Sequence, residues 1–162
     1  MGLDQYLWKR KYGDIYDWKK DYDNGKSKKI KITIENEFSD GEIKTQEYEV
    51  ENPEIDAEIL LPVAYWRKAN EIHKWILENT VGLDEDKCQK IYISGEKLKT
   101  LVETCKEVLT DHSKAETLLP TQEGFFFGST EYDEWYFKDL ENTIRQLKDI
   151  DESDEYIYQA SW

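Results

Sequence analysis

Apolar and polar residues alternate near the start of the chain in the way that extended strands require. Residues 2–10, GLDQYLWKR, are rich in aromatic and aliphatic side chains, a composition that favours a strand. In residues 28–38, Ile30, Ile32 and Ile34 alternate with Lys and Thr. A period of two is typical of a strand with one buried face. The pattern therefore predicts two strands in this part of the chain.

Two turn signals flank the second of these strands. DNG at residues 23–25 and SDGE at residues 39–42 contain Asn-Gly and Asp-Gly pairs, which tolerate the positive φ of a tight hairpin. The segment that follows the second turn, EIKTQEYEV at residues 42–50, is polar enough for a strand at a sheet edge. We therefore expect a β-hairpin over these residues.

The spacing of apolar residues changes to a helical period in the middle of the chain. Pro62 suits the first turn of a helix, and a helix is predicted near residues 62–79. Four side chains would form its apolar stripe: Tyr65, Ala69, Ile72 and Ile76. Charged side chains would line the opposite, exposed face: Arg67, Glu71, Lys74 and Glu78.

A short strand and a second helix are predicted next. KIYIS at residues 90–94 has the composition of a strand, and Ser94 can cap a helix that begins directly after it. Over residues 95–110 the apolar positions follow the clearest helical period in the chain. Because Cys105 lies on that apolar stripe, we interpret it as a small core residue rather than a reactive thiol.

The segment GFFFGSTEYDEWYF at residues 124–137 precedes a third predicted helix, near residues 130–148. Thr130 and Asp133 have nearly the spacing of a capping box at its start. The three phenylalanines are predicted to form a short buried strand or a wedge under this helix, because a glycine at each end permits a tight turn. Acidic residues in the first turn suit the helix dipole and would repel a phosphate group.

The last residues, YIYQASW at 156–162, have the alternation of a strand that pairs inside a sheet. Together these elements predict a single α+β domain over residues 1–162. We expect a mainly antiparallel sheet of about five strands, including the N- and C-terminal strands, packed by three helices.

The charge of the chain narrows the classes of partner. With 22 basic and 36 acidic residues, the formal net charge is −14. This argues against direct nucleic-acid binding, which needs clustered Lys and Arg, and against binding to an anionic membrane. No apolar run is long enough to span a bilayer, and two cysteines form no disulfide framework. We therefore expect a cytoplasmic protein, with a basic surface on any protein partner.

The sequence contains no motif that identifies a catalytic, cofactor or metal site. It lacks the Gly-rich nucleotide-binding motifs and the Gly-x-Ser-x-Gly nucleophile elbow. His73 and His112 are the only histidines, and no Cys-x-x-Cys is present, so a zinc site lacks ligands. We expect no metal, no cofactor and no assignable catalytic residue, and consider an enzyme the less favoured class.

One group of residues is a candidate ligand site on the first predicted helix. Trp66, Asn70, His73 and Leu77 would lie on one stripe at helical spacing. A ring, an amide, an imidazole and nearby cations suit a planar or anionic small ligand. In the alternative interpretation, Asn70 and His73 hydrogen-bond neighbouring loops as structural supports. The candidate ligand-binding residues are Trp66, Arg67, Lys68, Asn70, His73, Phe126 and Tyr132.

Four segments resemble a family of small proteins encoded by tailed bacteriophages and prophages. They are MGLDQYL at residues 1–7, YWRKANEIHKW at 65–75, LLPTQEGFFFGSTEYDEWYF at 118–137 and YQASW at 158–162. The resemblance covers most of the chain and is weakest over residues 11–60. It implies a phage context in the cytosol of a bacterial host, and it implies no particular biochemical activity.

Three functional hypotheses follow from the composition and this context. In the first, a non-catalytic acidic protein binds and inhibits a host or anti-phage defence protein that has a basic surface. In the second, the protein binds or sequesters a small nucleotide-like signal molecule at the candidate ligand site. In the third, it is an enzyme that uses His73 as an acid or base, because an unperturbed histidine titrates near neutral pH.

Overall fold

The computed structural model describes residues 2–13, 29–37, 43–51, 57–83 and 86–162. Their side chains are described within residues 2–10, 60–83 and 86–162. The chain divides into two compact units. The larger unit comprises Met1–Lys11 and Leu60–Trp162, and the smaller one comprises Tyr12–Ile59. The single domain over residues 1–162 stays a prediction.

Six strands and four helices are described. The strands are β1 (Asp4–Gly13), β2 (Lys29–Glu37), β3 (Ile43–Glu51), β4 (Ala57–Arg67), β5 (Ile91–Ser94) and β6 (Glu155–Ser161). The helices are α1 (Asn70–Glu78), α2 (Gly95–Thr110), α3 (Ala115–Leu118) and α4 (Glu134–Gln146). A 3₁₀ turn at His112–Lys114 precedes α3.

The main sheet has the strand order β4-β1-β6-β5. β6 pairs antiparallel with β1, with Leu7 opposite Tyr158. It also pairs antiparallel with β5, where Ile91 lies opposite the same tyrosine. The predicted α+β class and the antiparallel sheet with N- and C-terminal strands are therefore confirmed. The main sheet has four strands, where about five were predicted. The helices number four rather than the predicted three, because the short helix α3 was not predicted.

In the smaller unit, β2 and β3 form a two-stranded antiparallel sheet. Its register places Ile30 opposite Val50 and Ile34 opposite Gln46. Both strands of the predicted hairpin are therefore confirmed. The predicted turns at residues 23–25 and 39–42 lie outside the described residues.

The predicted helix at residues 62–79 is wrong in its first part. Residues 57–67 form β4, and helix α1 begins only at Asn70. Pro62 lies within this strand, which is at an edge of the main sheet, where a residue without an N–H group is tolerated. Burial along the end of β4 alternates, because Trp66 is buried while Tyr65 is exposed. Trp66 and Asn70 therefore do not share a helical stripe.

Helix α2 agrees with its prediction. It spans Gly95–Thr110, and the hydroxyl oxygen of Ser94 accepts a hydrogen bond from the amide of Lys97. Cys105 is fully buried in the hydrophobic core, which confirms its interpretation as a core residue. Burial raises the pKa of its thiol, so the reactive thiolate is disfavoured.

Helix α4 begins later than predicted. Its N-cap is Asp133, whose carboxylate accepts from the amides of Trp135 and Tyr136. The phenylalanine segment before it forms neither a strand nor a fully buried wedge. Phe125 is 95% exposed at a turn, and only Phe127 of the three is buried. A turn between the two glycines accounts for this, because successive side chains of a turn point in different directions.

The hydrophobic core of the larger unit lies between the main sheet and helices α1, α2 and α4. Aliphatic residues of the helices and two tyrosines of β6 form most of its interior. Fully or almost fully buried members include Ile72, Ile76, Leu98, Leu101, Leu140, Tyr156 and Tyr158. The helix α1 is buried on nearly all sides, so its polar residues must find partners inside the protein.

We predict that Gly95→Ala destabilises the protein by about 1–3 kcal/mol through overpacking. A Cβ atom at Gly95 would overlap the backbone carbonyl of Asp151, and this outweighs the better helix propensity of alanine. Urea unfolding monitored by circular dichroism measures the change. The control Thr100→Ala, at an exposed position of the same helix, should stay within about 0.5 kcal/mol of the wild type. Equal stability of Gly95→Ala and wild type would contradict the prediction.

Candidate functional site

The junction between β4 and α1 has an unusual backbone. Lys68 has φ 63°, in the left-handed region that non-glycine residues rarely adopt. Its amide donates to the carbonyl of Leu3, and its own carbonyl accepts from the amide of Asn70. Gly128, with φ 95°, lies so close that a Cβ atom there would be 3.1 Å from Cβ of Lys68. The junction and the loop before α4 are therefore in close contact.

Asn70 holds that loop in place. Its side-chain nitrogen donates to the carbonyls of Phe127 and Ser129, at 3.1 and 2.8 Å. Its side-chain oxygen accepts from the amide of Gln122 at 2.8 Å. Because the side chain is buried, these bonds are protected from competition by water. Two of the segments on which the phage resemblance depends, residues 65–75 and 118–137, thus meet at Asn70.

His73 belongs to a buried chain of hydrogen bonds. Its Nδ1 lies 2.7 Å from the hydroxyl of Tyr158, and its Nε2 lies 2.8 Å from a carboxylate oxygen of Asp86. The Tyr158 hydroxyl donates to Gln5, whose amide nitrogen donates to the carbonyl of Ala69. The hydroxyl therefore accepts from Nδ1–H, and Nε2 faces the carboxylate of Asp86. Burial lowers the pKa of His73, and the negative charge of Asp86 opposes that effect.

These contacts are those of the alternative interpretation, in which Asn70 and His73 support neighbouring loops. His73 is 0% exposed and both its ring nitrogens have partners within the protein. Asn70 combines the same structural role with a position at the edge of a cleft. A ligand-binding role for either residue stays a prediction.

A cleft of about 650 Å³ lies between the end of β4, the loop at residues 128–133 and helix α4; we call it the β4–α4 cleft. Four of the seven predicted site residues line it: Trp66, Arg67, Lys68 and Asn70. The other three do not: His73, Phe126 and Tyr132. The indole nitrogen of Trp66 donates to the hydroxyl of Thr143 at 2.8 Å. That bond joins β4 to α4 beside the cleft.

Phe126 and Tyr132 lie in the loops near the cleft. The ring of Phe126 packs edge-to-face on Phe125 at 4.7 Å between centroids. Its carbonyl accepts from the amide of Leu3 at 3.0 Å. Tyr132 packs edge-to-face on Tyr136 at 5.0 Å. Both aromatic residues therefore position the loop that borders the cleft.

The cleft is also lined by two exposed aromatic rings that the sequence analysis did not include in the candidate site. Trp135 is 71% exposed, and the ammonium group of Lys138 lies 5.1 Å from its ring centroid. Tyr65, expected on a core face, is exposed on β4 and donates from its hydroxyl to Asp4. Tyr65 was misplaced because the helical spacing around it is not realised.

Glu71 lies at the floor of the cleft, and its burial differs most from the sequence prediction. The sequence placed it on an exposed helix face, yet it is only 3% exposed. Its carboxyl oxygen Oε1 is buried without a hydrogen-bond partner. Burial raises the pKa of Glu71 to about 8, with a contribution from the charge of Asp139. Burial also raises the pKa of Asp139 to about 6.

The cleft differs in charge from the rest of this acidic chain. Four basic and four acidic side chains line it, and Glu71 is largely neutral at pH 7 because of its raised pKa. In the part of the chain that the structure describes, no carboxylate lies within ion-pair distance of Lys68, Lys138 or Arg145. We call Arg67, Lys68, Lys138 and Arg145 the cationic rim of the cleft, and Glu71 and Asp139 its acidic floor. Glu131 and Asp133 line the same cleft, so its excess of positive charge is small.

Comparisons of the chain with protein-family models, with curated proteins and with solved structures found no match. Among the helices of the described residues, none has both the length and the apolar composition needed to cross a bilayer. Within the same residues, no cluster of three or more His, Cys, Asp or Glu side chains is arranged to hold a metal ion.

We predict that Tyr158→Phe destabilises the protein by about 1–3 kcal/mol, because His73 and Gln5 would each lose a buried hydrogen-bond partner. Urea unfolding measures this change. Tyr92→Phe is the matched control, since Tyr92 is exposed on the neighbouring strand β5, and it should change stability by less than about 0.5 kcal/mol. Similar values for both variants would show that the buried chain contributes no stability.

Proposed function

We propose that this protein binds a small, anionic, ring-containing ligand of nucleotide-like chemistry in the β4–α4 cleft. The supporting observation is that one cleft is lined by four cationic side chains and by the exposed rings of Tyr65 and Trp135. Among the described residues, three of these cations have no carboxylate within ion-pair distance, and Arg67 has only a contact with Asp4. Its volume of about 650 Å³ falls within the range of about 300–1,000 Å³ that is usual for ligand sites.

The aromatic rings account for the planar part of such a ligand. The ring of Trp135 is largely exposed, and stacking of a base on an aromatic side chain contributes about 1–3 kcal/mol. An exposed indole has an energetic cost in water, which a stacked ligand removes. The ammonium group of Lys138 lies over this ring, 5.1 Å from its centroid, so a stacked base would use the opposite face or displace the ammonium group.

The basic side chains account for the anionic part. Arg67 and Arg145 present guanidinium groups, which bind phosphate or carboxylate oxygens through two parallel hydrogen bonds. Arg67 has only a 3.9 Å contact with Asp4, and its side chain is exposed, so that contact is weak. On a chain of net charge −14, a cationic rim is a local feature suited to attract an anion.

The phage resemblance suggests a purpose for such binding. Two of the four resembling segments, residues 65–75 and 118–137, supply much of the cleft lining. A phage protein that sequesters a nucleotide-like signal would lower the free concentration of that signal in the host cytosol. That role follows by analogy from the phage context.

We expect a nucleoside monophosphate to bind more tightly than the corresponding nucleoside, because only the phosphate contacts the cationic rim. Isothermal titration calorimetry at low salt measures both affinities. Lys138→Gln should weaken nucleotide binding about tenfold, equivalent to about 1.4 kcal/mol, and raising the salt concentration should reduce the difference. Lys148→Gln is the control, since Lys148 is exposed and outside the cleft. Failure of every nucleotide to bind would refute the proposal.

A second candidate function is the non-catalytic inhibition of a basic host or defence protein. Phe125, 95% exposed at the tip of a turn, favours it, because exposed aromatic residues often anchor protein interfaces. The enzymatic hypothesis gains no support, since both ring nitrogens of His73 are occupied within the protein and a catalytic base must reach its substrate.

If Phe125 anchors a partner, Phe125→Ser should abolish co-elution of host proteins that the wild type captures from lysate of infected cells. Folding of the variant is checked by circular dichroism, because an exposed residue can be replaced without loss of core packing. Exposed Glu96→Ser on α2 is the control and should leave capture unchanged. Equal capture by Phe125→Ser would remove this candidate.

A further inference from the structure

The carboxyl group of Glu71 is a buried polar group without its hydrogen-bond partner. It is 3% exposed, its Oε1 has no partner, and the residue lines the β4–α4 cleft. Native proteins pair more than about 90% of buried polar groups, and an unpaired one destabilises the folded state. A group of this kind at the floor of a cleft indicates that a bound molecule supplies the missing partner.

The groups that face Glu71 cannot supply it. They are Asp139 and Tyr136 from α4 and Cys105 from α2. Asp139 is a second acid, and the hydroxyl of Tyr136 already donates to the carbonyl of Leu119 at 2.9 Å. The thiol of Cys105 is at most a weak donor. The floor is therefore rich in acceptors and poor in donors.

For the ionised form of Glu71 the missing partner is a donor of hydrogen bonds, and the cations that line the cleft limit what carries it. A polycation would be repelled by Arg67, Lys68, Lys138 and Arg145, which line the same cleft. A ligand fits both parts of the cleft if it has a planar ring with adjacent N–H donors on one edge and an anionic group elsewhere. The N–H donors would meet the acceptors of the floor, and the anionic group would meet the cations of the rim. The torsion χ3 of a glutamate is soft, so either carboxyl oxygen of Glu71 can turn toward such an edge.

On the basis of the proposed function, we infer that Glu71, assisted by Asp139, recognises the edge of a guanine-type base in a nucleotide. Such a base has a ring N–H and an exocyclic amine side by side, which one carboxylate accepts in a two-bond arrangement. Adenine lacks the ring N–H, and hypoxanthine lacks the amine. The specificity of the cleft is thus set at its floor, while the phosphate at the rim supplies affinity common to all nucleotides.

Recognition of this kind releases a proton. Burial raises the pKa of Glu71 to about 8 in the unliganded protein, so the carboxyl group is mostly protonated at pH 7. Two N–H donors stabilise the charged form and lower the pKa. The proton that leaves Glu71 passes to the buffer, and the carboxylate then accepts both N–H groups of the base.

We test this inference by calorimetric titration with GMP, IMP and AMP at pH 7, in two buffers of different ionisation enthalpy. GMP should bind at least tenfold more tightly than AMP or IMP, and its binding should release up to about one proton. Glu71→Gln should retain nucleotide binding, lose the preference for GMP and release no proton. Glu78→Gln, at the exposed end of the same helix, should behave like the wild type.

The variant has a separate readout in the unliganded protein. The pKa of Glu71 is raised from 4.5 to about 8, so the folded state holds this proton more tightly than the unfolded state. The tighter binding of this proton adds to the free energy of unfolding below pH 4.5, and that contribution is lost as the pH rises toward 8. Glu71→Gln should remove most of that loss, leaving the smaller contribution of Asp139, and should fold at least as stably at pH 8.

The outcomes separate this inference from the proposed function. Nucleotides that all bind with one affinity, or a Glu71→Gln variant that keeps the preference for GMP, would overturn the inference and leave the proposed function standing. Failure of all three nucleotides to bind would overturn both. A Glu71→Gln variant that is less stable than wild type at pH 8 would assign Glu71 a structural role instead.

Discussion

The side-chain amide of Asn70 connects the parts of the larger unit on which the cleft depends. It bonds to three backbone groups of the loop between residues 122 and 129, and its own backbone follows the left-handed turn at Lys68. That loop carries the chain into α4 through the Asp133 cap. Without this amide, the loop would need to satisfy its buried carbonyl and amide groups elsewhere, and the border of the cleft would no longer be defined.

Two buried polar residues of the same short helix have different consequences. His73 is fully partnered through Tyr158, Gln5 and Asp86, and its chain of bonds links α1 to the two central strands of the sheet. Glu71, two residues earlier, has an unpaired oxygen and a raised pKa. Satisfied networks contribute rigidity and unsatisfied groups cost stability. The contrast distinguishes residues that support the cleft from the residue that we propose contacts a ligand.

Local patterns predicted some elements well and failed where two periodicities overlap. Helix α2 was predictable because its apolar spacing and its Ser94 cap agree. Around Pro62 the same residues fit a helical stripe and an alternating strand, and the pairing of β4 in the sheet decides between them. Four residues of the cleft lining were predicted from the sequence: Trp66, Arg67, Lys68 and Asn70. Glu71 and Trp135 were missed, because the burial of an acid and the exposure of an indole depend on tertiary contacts.

The position of β6 in the main sheet has a consequence for how this protein is made. β6 lies between β1 and β5, although it follows every other described strand along the chain. While a ribosome is still adding the preceding helices, β1 and β5 have no strand between them and their backbone edges stay open. Such edges invite pairing with other nascent chains. Rapid completion of translation, or a chaperone held near the exit tunnel, would therefore influence the yield of folded molecules.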